Sequence, residues 1–182
     1  MLRNLMIVLG ILMPAGLHAA EVAPPLRTWL HALESVPTPA QLQHAGGAHL
    51  EADLDAVVHD GRETGYARHR ALSFLGILPT ATATARLRKD LRLPDPELRA
   101  TAAVAWAAGP GRREPAKAMI ELDKLLDDKV PAVRAAAARG LLFVADPKLA
   151  RDHAARQRGR EQVPEVLQAL DHTLRQLDAR AK

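Results

Sequence analysis

The chain has 182 residues and a formal net charge of +4, with 48% hydrophobic residues, 3% aromatic residues and no cysteine. Its apolar mass is therefore mostly Ala, Leu and Val, and one domain of ordinary size is expected. The missing cysteine excludes disulfides and thiol-linked lipid, and the near balance of charge argues against a nucleic-acid partner.

Residues 1–20 read as a cleaved secretory signal. Arg3 lies in a short positive region, an apolar run extends from Leu5 to Met13, Pro14 breaks it, and the small residues Ala19 and Ala20 precede Glu21. The run is shorter than the roughly 20 apolar residues of a crossing helix, so no stable membrane span is expected after cleavage behind Ala19 or Ala20. Cleavage removes one arginine and no acid, which lowers the formal charge to +3. An exported chain that folds without disulfides points to a bacterial periplasm or to secretion.

Residues 21–47 are expected to form an N-terminal cap on the larger C-terminal region. The stretch "PPLRTWLHALESVPTPAQLQHAGG" predicts a short helix carrying Leu26, Trp29, Leu30 and Leu33, a proline-punctuated connector, and a smaller helix ending at Gly46-Gly47. Trp29 is read as a core residue.

Residues 48–182 contain a repeat. Four stretches align on Arg68, Arg99, Arg134 and Leu167, at separations of 31, 35 and 33 residues. One residue before each anchor stand Ala67, Leu98, Val133 and Val166. Three after it stand Ala71, Ala102, Ala137 and Leu170, and seven after it Leu75, Trp106, Leu141 and Leu174. Steps of four keep these side chains on one helical face. Pro96, Pro131 and Pro164 stand three before the anchor, where a first helical turn accepts proline without losing a hydrogen bond.

Helices are therefore expected from near 64, 95, 130 and 163. Each is preceded by a second candidate: "AHLEADLDAVV" with Leu50, Leu54 and Val57; "ATATARLRKDL" with Leu87 and Leu91; "EPAKAMIELDKLLDD" with Met119, Leu122, Leu125 and Leu126; and "DPKLARDHAARQR", which opens on Asp146 as an N-cap and Pro147. "GPGRREP" reads as the longest linker.

The pattern "DDKVPAVRAAAARGLL" resembles a HEAT-type repeat of the short bacterial, HEAT-like kind, over about residues 48 to 179. The resemblance implies an all-α, right-handed α-solenoid of about four helical hairpins after the N-terminal cap. An A helix and a B helix would pack antiparallel in each. It also implies a ladder between neighbouring repeats, built from an acid and an arginine six residues apart, as Asp128 and Arg134 are. Arg68, Arg99, Asp128 and Arg134 are then framework residues. The ladder is expected to be partial, because Arg62 and Leu93 occupy the acid position of the first two units and Leu167 replaces the last arginine. Arg134, set against its helix dipole, calls for an acid from Asp128 or a carbonyl of the next repeat. Some HEAT-like proteins are chromophore lyases, but no tetrapyrrole site is visible in this sequence.

No catalytic residue, cofactor or metal is expected. The chain has no cysteine nucleophile and no phosphate-binding glycine loop, and "GRETGYARHR" lacks the spacing of a catalytic motif. Outside the first twenty residues, His31, His44, His49, His59, His69, His153 and His172 show no pair four apart and no HExxH.

The functional expectation is a non-catalytic scaffold in the bacterial envelope, binding a protein along the surface that B helices line in this family. Positions one and five after each anchor face away from the core stripe: His69, Ser73, Ala100, Val104, Ala135, Arg139, Gln168 and His172. The candidate contacts are His69, Ser73, Arg139, Gln168 and His172; a wetted outer face accounts for the same residues. A second reading is an anionic envelope polymer or small ligand held by Arg151, Arg156, Arg158 and Arg160, which a charged linker also explains. A third is an accessory subunit of an enzyme. Two exposed array ends leave self-association open.

Overall fold

Thirteen prolines punctuate the chain, and several open a helix in the computed structural model, which describes residues 22–180. The expected signal segment lies outside those residues. The described residues form helices and no strand. In chain order they are α1 (Pro24–His31), α2 (Pro39–Gly46), α3 (Leu50–His59), α4 (Gly65–Ile77), α5 (Ala81–Asp90) and α6 (Pro96–Ala108). Then come α7 (Pro110–Arg113), α8 (Pro115–Leu126), α9 (Pro131–Gly140), α10 (Pro147–Arg158) and α11 (Pro164–Arg180). None is long and apolar enough to cross a membrane.

Local chemistry sets the helix starts. Thr38, Thr64, Thr80, Asp95 and Asp146 each accept a backbone N–H of the first turn through their side chains. At Thr38 the cap is reciprocal, because Gln41 reaches back to the Thr38 N–H at 2.8 Å. The end of α2 falls at Gly46, followed by Gly47 with φ of +56°, a conformation glycine adopts without strain.

The apolar stripe on the second helices is the core. Ala67, Leu98, Val133, Val166, Ala71, Ala102, Ala137, Leu170, Leu75, Trp106 and Leu141 are buried, and Leu174 packs partly against them. These second helices meet in series, α4 on α6, α6 on α9 and α9 on α11, while α3 and α10 pack chiefly on their own partners, α5 equally on α4 and α6, and α8 on α9, α7 and α6. Small residues allow the close approach. A methyl group added at Gly76 on α4 would lie 2.8 Å from the Ala105 carbonyl of α6, and one at Gly140 on α9 would lie 3.1 Å from the Ala107 Cβ.

Two expectations need correction. "GPGRREP" is not an open linker, for Pro110–Arg113 is one helical turn, α7, and Gly109 before it sits so close to Gly76 that an added Cβ would lie 1.9 Å from the Gly76 carbonyl oxygen. At the N-terminus α1 buries Leu26 and Leu30 but stops at His31, so Leu33 falls out of the helical phase and is 80% exposed. Helices α1 and α2 pack against α3 and α4. Arg70 of α4 ties the connector down, donating to the carbonyls of Trp29 (3.0 Å) and Ser35 (2.7 Å), while Tyr66 donates to that of Ala32 (2.7 Å).

Candidate functional site

The recurring arginines sit at the junctions between helical pairs. Arg99 donates through Nε and Nη2 to the two carboxylate oxygens of Asp128, at 2.7 and 3.1 Å, and through Nη1 to the Leu93 carbonyl at 2.5 Å. Arg134 repeats the arrangement one unit later. Its Nη1 donates to the Asp128 carbonyl at 2.8 Å, and its Nε and Nη2 hold Glu161 at 2.7 and 2.9 Å. The acid for Arg134 is thus Glu161 of the next unit, and Asp128 supplies only its carbonyl while its carboxylate serves the preceding unit. Glu161 stands six residues before Leu167, the position the spacing assigns to a ladder acid, and the absence of an arginine at 167 hides it from an arginine-based pattern. Arg68 meets no acid among the described residues. Leu93 occupies that position in the next unit, and Arg68 donates to the Val58 carbonyl near the end of α3, at 2.9 Å.

These pairs depress the acids. The Arg134 guanidinium holds the Glu161 carboxyl down at about 2, against burial and with help from the N–H groups of Val163 and Gln162. Burial pushes the Asp128 carboxyl up, but the bonds from Arg99 and the Val130 N–H outweigh it and leave it below its ordinary value.

The outward positions of the second helices divide into two groups. Ser73, Ala100, Val104 and Arg139 line one groove of about 400 Å³, together with Gly76 and Ala136. Its floor is methyl groups and backbone, and Arg139 stands exposed at its margin with no acid paired to it among the described residues. His69 lies on the same face, and its Nδ1 is 2.6 Å from the Thr101 hydroxyl. Gln168 and His172 are exposed on α11 and are not part of the groove. Ala135 is buried rather than outward-facing, because α9 is packed between α6 and α11 and a methyl that short lies beneath its neighbours.

The arginines of α10 and the turn after it are engaged with acids. Arg151 pairs with Asp178 (2.5 Å), Arg158 with Asp171 (2.6 Å) and Arg160 with Asp127 (2.7 Å), while Arg156 is exposed and unpaired among the described residues. A larger basic cleft, about 840 Å³, opens between α5 and α8, which barely meet. It carries Arg88, Lys89, Arg92, Arg113 and Lys117 against two carboxylates, Glu114 and Glu121, with Trp106 and Ile120 among its apolar lining. Glu121 is buried and receives Arg88, Arg92 and Lys124. Composition does not mark this cleft, whose cations come from separate helices.

A third cluster joins the first two helical pairs. Asp55 and His59 are four residues apart on α3, and Asp90 ends α5; one ligand-type atom from each lies within 4.8 Å of the others. Asp90 is fully buried, and neither carboxylate oxygen has a hydrogen-bond partner among the described residues. Burial pushes its carboxyl up to about 6 against the attraction of His59. Histidine spacing in the sequence does not mark this set, because its other two members are aspartates and one comes from the next helical pair.

Compared with known proteins, the chain matches no family model and no curated sequence.

Proposed function

We propose that this chain is an exported, non-catalytic HEAT-like α-solenoid scaffold of the bacterial envelope that binds a partner protein on the outward face of α4, α6 and α9. The observation that carries the reading is the groove whose floor is Gly76, Ala100, Val104 and Ala136 and whose margin holds the exposed Arg139. Such a surface suits an apolar segment that carries an acid, since the methyl floor is desolvated at little cost and the guanidinium offers a fork to a carboxylate. Further support comes from the periodic repeat, the serial packing of second helices and the arginine pairs at each of the later junctions. Hairpins of this kind bury too little alone and are stable as a stack.

The test is crosslinking of the tagged protein in its native cells, with Arg139→Glu and Val104→Arg as controls. A protein captured by the wild type and lost from both variants supports the reading. An identical capture profile from all three would sink it.

The α5–α8 cleft favours a second reading, an anionic ligand, since five cations there face two carboxylates. Salt-sensitive binding of an anionic envelope polymer, lost on Lys89→Glu with Arg113→Glu, would establish it. Loss on neutralising Arg151, Arg156, Arg158 and Arg160 instead would move the ligand to α10.

A further inference from the structure

We propose that Asp55, His59 and Asp90 form a site for a divalent transition-metal ion of zinc type, bridging α3 and α5. The His59 ring is oriented first. Its Nδ1 lies 2.8 Å from the backbone carbonyl of Asp55, an oxygen that can only accept, so Nδ1 carries a hydrogen and Nε2 is the nitrogen that presents a lone pair in the neutral ring. A backbone carbonyl behind the ring is a common way of fixing a metal-binding histidine.

Nε2 faces Oδ1 of Asp90 at 3.4 Å. At 3.4 Å the two atoms make no hydrogen bond, and with the ring neutral both are acceptors that a cation between them would satisfy together. Two ligands at about 2.0–2.1 Å from a tetrahedral ion stand about 3.3–3.4 Å apart. Asp90 is the second, independent observation: its side chain is 1% exposed, neither oxygen has a hydrogen-bond partner among the described residues, and His59, Arg86 and Lys89 act on it only through longer-range attraction. A buried carboxylate in that condition is costly until a positive charge is supplied.

Asp55 completes the set. Arg86 takes its Oδ2, and a ligand oxygen of Asp55 lies within 4.8 Å of the ligand atoms of His59 and Asp90. The guanidinium therefore fixes the carboxylate and leaves the other oxygen available. His59 is 49% exposed, which opens a path for the ion and room for water as the remaining ligand. One imidazole nitrogen with two carboxylates suits zinc and its first-row neighbours better than calcium or magnesium, which take all-oxygen shells. All three ligands come from this chain, so the site needs no partner protein.

The experiment is titration of the chelator-stripped full chain with Zn²⁺ by calorimetry, and with Co²⁺ followed by visible absorption. One equivalent of saturable Zn²⁺ per chain is expected, with a tetrahedral Co²⁺ spectrum and a melting temperature higher with Zn²⁺ than with EDTA. Asp90→Asn and His59→Gln should each weaken binding at least ~10-fold, while His153→Gln on α10 leaves it unchanged. Asp90→Asn preserves shape and removes the buried charge, so it reports on the site even where His59→Gln disturbs α3. Binding that is absent, or unaltered by Asp90→Asn, overturns the proposal. A His59 imidazolium seen by NMR together with absent metal binding would assign the cation to a proton shared with Asp90, and would overturn it equally.

Discussion

Arg134 on α9 and Glu161 in the turn before α11 form a two-point ion pair across the last junction, 27 residues apart in sequence, with side chains only 14% and 4% exposed. Such a pair stabilises less by its attraction than its loss destabilises, because either partner left alone is a desolvated charge. Arg134→Met should therefore cost about 3 kcal/mol, read from the urea midpoint. Arg134→Met with Glu161→Met should recover most of the loss. Equal stability of wild type and single variant would contradict a buried pair.

The same pair makes stability depend on acid. The Glu161 carboxyl is at about 2 in the folded chain against an ordinary 4.5. A depressed acid contributes stability that is fully present above its unfolded value and is lost as the pH falls through 4.5 toward 2. The contribution is up to about 3 kcal/mol. Urea midpoints taken from about pH 6 to about pH 3 should fall more steeply for the wild type than for Glu161→Gln; parallel curves would refute the assignment.

Gly109 and Gly65 should respond oppositely to alanine. At Gly109 the new Cβ would meet the Gly76 carbonyl oxygen at 1.9 Å, which the backbones of α4 and the turn after α6 can relieve only by separating. A loss of about 2 kcal/mol or more is expected. At Gly65, the first residue of α4, nothing lies within 4 Å, and alanine should gain about 0.4–1 kcal/mol by restricting the unfolded chain. Thermal melts of the two variants on opposite sides of wild type would bear this out, and a tolerated Gly109→Ala would not.

Arg70 should control the N-terminal helix. Besides the two carbonyls it holds, its guanidinium lies 4.9 Å from the Phe74 ring centre and 5.6 Å from that of Tyr66. Arg70→Met keeps the stem and removes the fork. Hydrogen exchange in α1 and the connector should then accelerate while α6 and α9 stay protected. Unchanged protection of α1 would show that Leu26 and Leu30 hold it without help.

Much of the helical layout is legible in the residues. Proline and Thr or Asp at the starts, and apolar residues at fixed offsets from each anchor, act within a few residues of themselves. Two offsets fail for nameable reasons. The apolar spacing of the first helix runs on to Leu33, yet the helix ends at His31; the outward phase includes Ala135, yet α9 is wedged between two other helices. Of the outward positions, Ser73, Ala100, Val104 and Arg139 come together, whereas Gln168 and His172 lie apart from that groove.

An all-helical chain, the phase of its buried stripe and the recurrence of its arginines follow from the residues alone, because caps, turns and four-residue spacing are local. Packing in three dimensions brings Arg134 to Glu161, leaves a basic cleft between α5 and α8, and sets Asp90 beside Asp55 and His59. Each of these joins residues that stand on successive helical pairs, far apart along the chain. Their distances follow from how closely one helical pair stacks on the next, which the methyl-lined contacts of α4, α6, α9 and α11 set.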